Sequence, residues 1–167
     1  VHQAFDYAKA AGMKVIVGVP RPDVLALVEQ KVKQYNIKVA IHNHGPGDKM
    51  YPTPESAIER IKSLDKRIGL CIDIGHTARI GADPIEDVVR FADRLHDLHI
   101  KDVSAAAASG QTLEIGRGVI DMPAFLKALI QIGYAGVAAL EYEKDAADPL
   151  PGMAESVGFV RGVLATL

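Results

Sequence analysis

Four short segments of the 167-residue chain carry ionisable side chains directly after apolar runs. They read His42-Asn43-His44-Gly45, Asp73-Ile74-Gly75-His76, His99-Ile100-Lys101-Asp102 and Glu141-Tyr142-Glu143. Carboxylates and imidazoles gathered in one place can share a divalent cation. Pairing with a cation offsets the cost of setting charged groups against an apolar core. The available donors are oxygen and nitrogen, and no thiolate cluster is present. That set suits one divalent ion, Mn2+, Mg2+, Co2+ or catalytic Zn2+, and does not suit a structural zinc knot. Asp73, His99 and Glu141 are the expected ligands, with one further group from the His42 segment.

Such a site needs elements that deliver the four segments to one place. Five β-rich apolar runs alternate with helical patterns. The runs are Lys14 to Gly18, Ile37 to His42, Ile68 to Asp73, Leu95 to Ile100 and Gly136 to Glu141. A helical pattern from Ala4 to Ala11 precedes the first. The others are followed or separated by helices over about 23–35, 54–64, 83–91, 122–132 and 153–164. Val24, Leu27, Val28 and Val32 show the helical period. Thr53-Pro54 and Asp83-Pro84 place proline at a first helical position, and Asp121 is an expected helix cap. Continuous apolar strands alternating with amphipathic helices imply a parallel sheet covered by helices. An open doubly wound sheet and a (β/α) barrel both fit. Each unit takes roughly 30 residues, as in an eight-unit TIM-type barrel. The chain is therefore expected to be a single domain over 1–167 holding the C-terminal five βα units of eight, with three units N-terminal to Val1. In parallel α/β folds the ligand site lies at the carboxyl ends of the strands, where the four segments fall.

Composition narrows the classes of function. Hydrophobic residues make up 49% and charged residues 24%, as in an ordinary globular domain. The net charge of −2 gives no cationic footprint for nucleic acid or an acidic membrane surface. No apolar stretch approaches a membrane span, and no signal-peptide pattern opens the chain, so a cytoplasmic location is expected. Cys71 is the one cysteine; it sits in an apolar run and reads as inert core.

The segments CIDIGH, DLHIKD, GRGVID and ALEYE, in this order, resemble the xylose-isomerase-like barrel superfamily. The resemblance runs from about Gly12 to Leu164. It implies a divalent-metal-dependent isomerase or epimerase acting on a sugar or sugar phosphate. It also implies roles: Asp73 and His99 as metal ligands, Glu141 as a ligand that also moves a proton, and His76 as a contact to substrate oxygens. Many relatives carry Glu where this chain has His42. The fourth ligand is then His42, with His44 and Asp48 as alternatives, and a shuttle between two glutamates is not expected. The repair endonucleases of the superfamily need an Asp-x-His that the stretch Ser109 to Glu114 lacks.

Isomerisation or epimerisation removes a proton beside a carbonyl and passes through an enediolate. Glu141 on one face and His42 or His44 on the other are candidate proton carriers. Lys101 could neutralise the enediolate, and Arg117 in Gly116-Arg117-Gly118 could grip a distal hydroxyl or phosphate. The same parts would serve β-elimination from a keto-sugar or inosose, in a lyase or dehydratase. A non-catalytic partial barrel is the third expectation, since open sheet edges favour homo-oligomerisation. Simpler roles stand beside these: Lys101 pairing with Asp102, Asp73 as a helix cap, Arg117 as a surface charge, and His2 and His96 as surface or structural residues.

Overall fold

A computed structural model describes residues 1–167. Five parallel strands form one curled sheet in the order β1, β2, β3, β4, β7. They are β1 (Val15–Gly18), β2 (Lys38–His42), β3 (Ile68–Asp73), β4 (Leu95–Ile100) and β7 (Val137–Leu140). The seven α-helices are α1 (His2–Ala10), α2 (Leu25–Tyr35), α3 (Pro54–Ile61), α4 (Ile74–Arg79), α5 (Pro84–Arg90), α6 (Met122–Gln131) and α7 (Leu150–Leu164). This is the expected half-barrel, with β1 and β7 at its open edges.

The helices that follow the strands pack their apolar faces on the sheet. Val28 and Val32 of α2, Ala57 and Ile61 of α3 and Phe125 of α6 are buried together with Ile41, Leu70, Ile72 and Leu98 of the strands. Alternation along each strand turns every second residue to the opposite face. Ile41, Ile72, Leu98 and Ile100 join this core, while His42, Asp73 and His99 project to the other side, where they meet one another.

Local sequence sets where the helices begin. Thr53 and Ser56 form a reciprocal capping box at α3. Asp83 caps α5 by accepting the Ile85 N–H at 2.8 Å. Asp121 caps α6 by accepting from Ala124 at 2.9 Å, as expected. Each such cap contributes about 1 kcal/mol.

Two elements were not foreseen. Helix α4 starts directly after Asp73. A small antiparallel hairpin pairs β5 (Asp102–Val103) with β6 (Thr112–Leu113) inside the loop that follows β4. The last helix also starts earlier than expected, at Leu150. No helix is long and apolar enough to cross a membrane.

Candidate metal centre

Register brings the ligands together. Asp73 lies opposite His99 across the β3–β4 pair, and His42 lies opposite Cys71 across β2–β3. The Glu141 N–H continues the β4–β7 ladder by donating to the Ile100 carbonyl at 3.0 Å. One ligand atom from each of His42, Asp73, His99 and Glu141 falls in a group within 4.8 Å of one another. His42 and Asp73 are buried, and His99 and Glu141 are half-buried on the open side.

The contacts among the four are specific. His42 Nε2 is 3.4 Å from Asp73 Oδ2 and 3.8 Å from Glu141 Oε2. His99 Nδ1 is 3.1 Å from Glu141 Oε2. That hydrogen bond holds the Glu141 carboxyl well below the ordinary carboxylate range, against the opposing effect of burial. The same bond raises the His99 imidazolium above its usual range.

Asp73 is both cap and ligand candidate. Its Oδ1 accepts the His76 N–H at 2.7 Å and starts α4, which leaves Oδ2 pointing at His42. Asn43 fixes the backbone beneath: its Oδ1 accepts the Asp73 N–H at 2.9 Å, and its Nδ2 donates to Thr77 Oγ1 at 3.2 Å.

Lys101 stands inside the site. Its Nζ is 2.6 Å from Glu143 Oε2, 3.1 Å from Glu141 Oε2 and 3.3 Å from Asp73 Oδ2, and the side chain is 1% exposed. Burial pushes the ammonium down, but Asp73, Glu143 and Glu141 outweigh it and leave it above the usual lysine range. Lys101 does not pair with Asp102, because neighbours along a strand face opposite sides. Asp102 is buried elsewhere and accepts four backbone N–H groups. Oδ1 takes Val103 at 2.9 Å and Ile120 at 3.2 Å, and Oδ2 takes Gly116 and Gly118 at 2.9 Å each. The GRGVID loop is thus folded around the Asp102 carboxylate.

The remaining site candidates are placed as follows. His76 lies on α4 with Nε2 3.9 Å from Asp73 Oδ2, and burial lowers its proton affinity. His44 extends the cluster outward: its Nε2 is 3.1 Å from His42 Nδ1 and its Nδ1 is 3.4 Å from Asp48 Oδ2. Both ring nitrogens of His44 therefore face partners. Arg117 forms a two-pronged pair with Glu155 of α7 at 2.5 and 2.8 Å, at the surface. His96 is buried with Nε2 2.8 Å from the Lys66 carbonyl, a structural role, whereas His2 is exposed. Cys71 is buried, and burial raises its thiol well above the usual range, as befits core.

Two contacts go beyond the sequence reading. Glu143, part of the Glu141-Tyr142-Glu143 segment, binds Lys101. Arg79 on α4 puts Nη1 3.5 Å from His76 Nδ1 and donates from Nη2 to the Ala108 carbonyl at 3.0 Å. Its place one turn after His76 was the available signal.

The donor set fits a divalent cation. Two imidazoles and two carboxylates converge within binding reach, and a mixed nitrogen and oxygen set of four suits an ion such as Zn2+, Mn2+ or Co2+. The Lys101 ammonium beside the same two carboxylates offsets part of their charge.

The chain belongs to the family of xylose isomerase-like TIM barrels, which it matches over residues 1–163. Among its relatives is the rhizopine catabolism protein MocC of Rhizobium meliloti, 28% identical over 131 residues, covering 70% of this chain and 40% of that protein. The inosose dehydratase of Lacticaseibacillus casei is 26% identical over 138 residues, covering 72% of this chain and 45% of the enzyme. Thus the matched stretch spans less than half the length of these relatives. A crystal structure of the IolI protein with a bound zinc atom superposes with a TM-score of 0.76 at 22% identity, over 97% of this chain and 66% of that one.

Proposed function

We propose that this chain carries the metal centre of an enzyme that withdraws a proton from the carbon beside a carbonyl of a keto-sugar or inosose. The observation that carries this reading is the convergence of His42, Asp73, His99 and Glu141 within 4.8 Å at the carboxyl end of the sheet. The dehydratase activity of the inosose dehydratase relative and the zinc in IolI agree with it. His42, Asp73, His99 and Glu141 would hold the ion. A divalent ion there would polarise the carbonyl and neighbouring hydroxyl oxygens of the substrate and lower the barrier to enediolate formation.

The chain's own residues supply the rest. Glu141 is half-buried on the open side of the cluster and is the carboxylate placed to accept the carbon-bound proton. Lys101 lies 3.1 Å from the same carboxylate and presents an ammonium that offsets negative charge on the substrate oxygens. A carboxylate beside a fixed ammonium suits β-elimination. The electron pair of the broken C–H bond forms the new C=C bond, the neighbouring C–O bond breaks, and the leaving hydroxyl departs as water with the proton that Glu141 took. Lys101 keeps its proton and stabilises the negative charge on the substrate oxygens.

Isomerisation or epimerisation is the second reading, favoured by His76. Its ring stands on the Asp73 side of the cluster and could return a proton to the enediolate. His44, with both nitrogens engaged, is left out of proton transfer in either reading.

Incubating the protein with Mn2+ or Co2+ and a keto-inositol or ketose in D2O separates these readings. Elimination yields a product lighter by one water. Isomerisation or epimerisation keeps the formula, and reprotonation from solvent introduces deuterium. Absence of both products and of deuterium exchange with every metal, in a protein shown to bind metal, would sink the proposal.

A further inference from the structure

His42 reaches the centre with one nitrogen and leaves the site with the other. Nε2 faces Asp73 Oδ2 and Glu141 Oε2, while Nδ1 is 3.1 Å from His44 Nε2. The next ring nitrogen, His44 Nδ1, is 3.4 Å from Asp48 Oδ2. The two imidazoles meet edge to face, with centroids 4.2 Å apart. A neutral imidazole carries one N–H and one lone pair, so each contact dictates the next. A lone pair on Nε2 of His42 requires its proton on Nδ1. That proton needs an acceptor, which is the lone pair of His44 Nε2. His44 then carries its proton on Nδ1, the side on which the Asp48 carboxylate stands 3.4 Å away.

We infer that His44, with Asp48 beyond it, forms a relay behind His42 that accepts the Nδ1 proton His42 must carry once its Nε2 binds a divalent cation. This deepens the proposed metal centre and rests on it. His44 and Asp48 are positioning residues here.

The surrounding backbone is built to hold the relay. Residues 42 and 44 lie two apart on an extended segment and so face the same side. The His44 N–H donates to the Tyr51 carbonyl at 3.1 Å, and Gly45 N–H donates to the Pro52 carbonyl at 3.1 Å. Gly45 adopts φ +70°, and a Cβ there would crowd the backbone and Cβ of His76. Asp48 is itself anchored, since its Oδ1 accepts the N–H groups of Met50 at 2.6 Å and Tyr51 at 3.3 Å. That leaves Oδ2 for His44. Side-chain exposure falls from 42% at His44 to 15% at Asp48, so the outer carboxylate is the better shielded of the two. Partners behind a ligating histidine orient it and raise its basicity, and losing one commonly weakens metal binding by about 10- to 100-fold.

The test uses the full chain with His44→Ala and His44→Gln. Gln offers a carbonyl oxygen that accepts from His42 Nδ1; Ala offers nothing. Co2+ affinity is read by titration and by the visible spectrum of the bound ion, and the His42 Nδ1–H by 1H–15N NMR of the Zn2+-loaded protein. The relay predicts a His42 Nδ1–H shifted downfield by its hydrogen bond in the Zn2+-loaded parent and a loss of that shift in His44→Ala. It also predicts Co2+ affinity lower by about 10- to 100-fold in His44→Ala and largely restored in His44→Gln. His44→Ala with an unchanged His42 Nδ1–H shift and unchanged affinity would overturn it, as would His44→Gln binding as weakly as His44→Ala. A parent whose Co2+ binding is indifferent to Asp73→Ala would defeat the metal centre instead, whereas Co2+ affinity lost in Asp73→Ala but kept in His44→Ala would defeat the relay alone.

Discussion

Gly75 and Lys101 are packed so closely that a Cβ on Gly75 would overlap the Cγ and Cδ of the lysine stem. The first turn of α4 is therefore bare where the buried lysine passes over it. Gly75→Ala is expected to displace Lys101 and to destabilise the fold by about 1–3 kcal/mol, the usual penalty for overpacking. A thermal melt of the metal-free variant checks this. A gain in melting temperature, from the better helix propensity of alanine, would show that the lysine moves aside freely.

Lys101 itself is the cation that Asp73 and Glu141 share in the absence of metal. Lys101→Met keeps the stem and removes the charge. It leaves Asp73 buried without its ammonium partner, and breaking a buried pair in this way costs about 3–5 kcal/mol. Glu141 and Glu143 are more exposed, so the lower end applies. The variant should melt below the parent when metal-free and recover more than the parent does on adding Zn2+ or Co2+. Equal metal-induced shifts in the two proteins would argue that Lys101 and the ion do not act on the same carboxylates.

Asp102→Asn tests the loop that follows β4. The amide nitrogen of Asn would be set against two N–H donors whichever way it turns, since each Asp102 oxygen accepts from two of them. Leaving those donors unsatisfied costs about 1–3 kcal/mol. Chemical denaturation should show that loss, and hydrogen exchange should speed up at Gly116 and Gly118. Unchanged exchange at those two amides would contradict the arrangement.

Stability should also respond to pH through Asp87 on α5. Burial first, then the neighbouring Glu55, Asp83 and Glu86, push its carboxyl up to about 6, against the lowering effect of Arg90. A value raised above that of the unfolded chain means that the folded state prefers the protonated form. The contribution is then fully present below about pH 4 and is lost as pH rises through about 6. Asp87→Asn removes the effect. The variant should be more stable than the parent by about 1–3 kcal/mol at pH 8, and the gap should close by pH 4. A gap that is constant across this range would rule out Asp87 as the source.

The parts of this architecture that run long and apolar could be read directly from the residues. Ile68–Asp73 and Leu95–Ile100 appear as strands with the expected bounds: the first is an apolar run closed by Asp73, and the second keeps Leu95, Leu98 and Ile100 between its His and Asp residues. Helix α4 was hidden because Ile74 to Arg79 is only six residues long and contains Gly75. Its start depends on the Asp73 cap, a role that stood beside the metal-ligand reading without a helix to attach it to. The β5–β6 hairpin has two residues per strand, too few for any period to emerge. Asp73, His99 and Glu141 came together as expected because the β3–β4–β7 register aligns their strand ends. The alternation rule already separates Lys101 from Asp102, yet the partners of Lys101 come from β3 and the segment after β7, which only the fold brings near. The order His42, His44, Asp48 was visible as spacing, but its direction, inward to outward, depends on the turn through Gly45 and Tyr51.

Metal analysis after dialysis, on the parent and on an Asp73→Ala/His99→Ala double variant, tests the proposed centre most directly. The predicted result is a stoichiometric divalent ion retained by the parent and lost by the double variant, with both proteins folded. A folded parent that retains no Mn2+, Co2+ or Zn2+ after each has been supplied would contradict it, and the strand-end cluster would then stand as a polar network closed by Lys101.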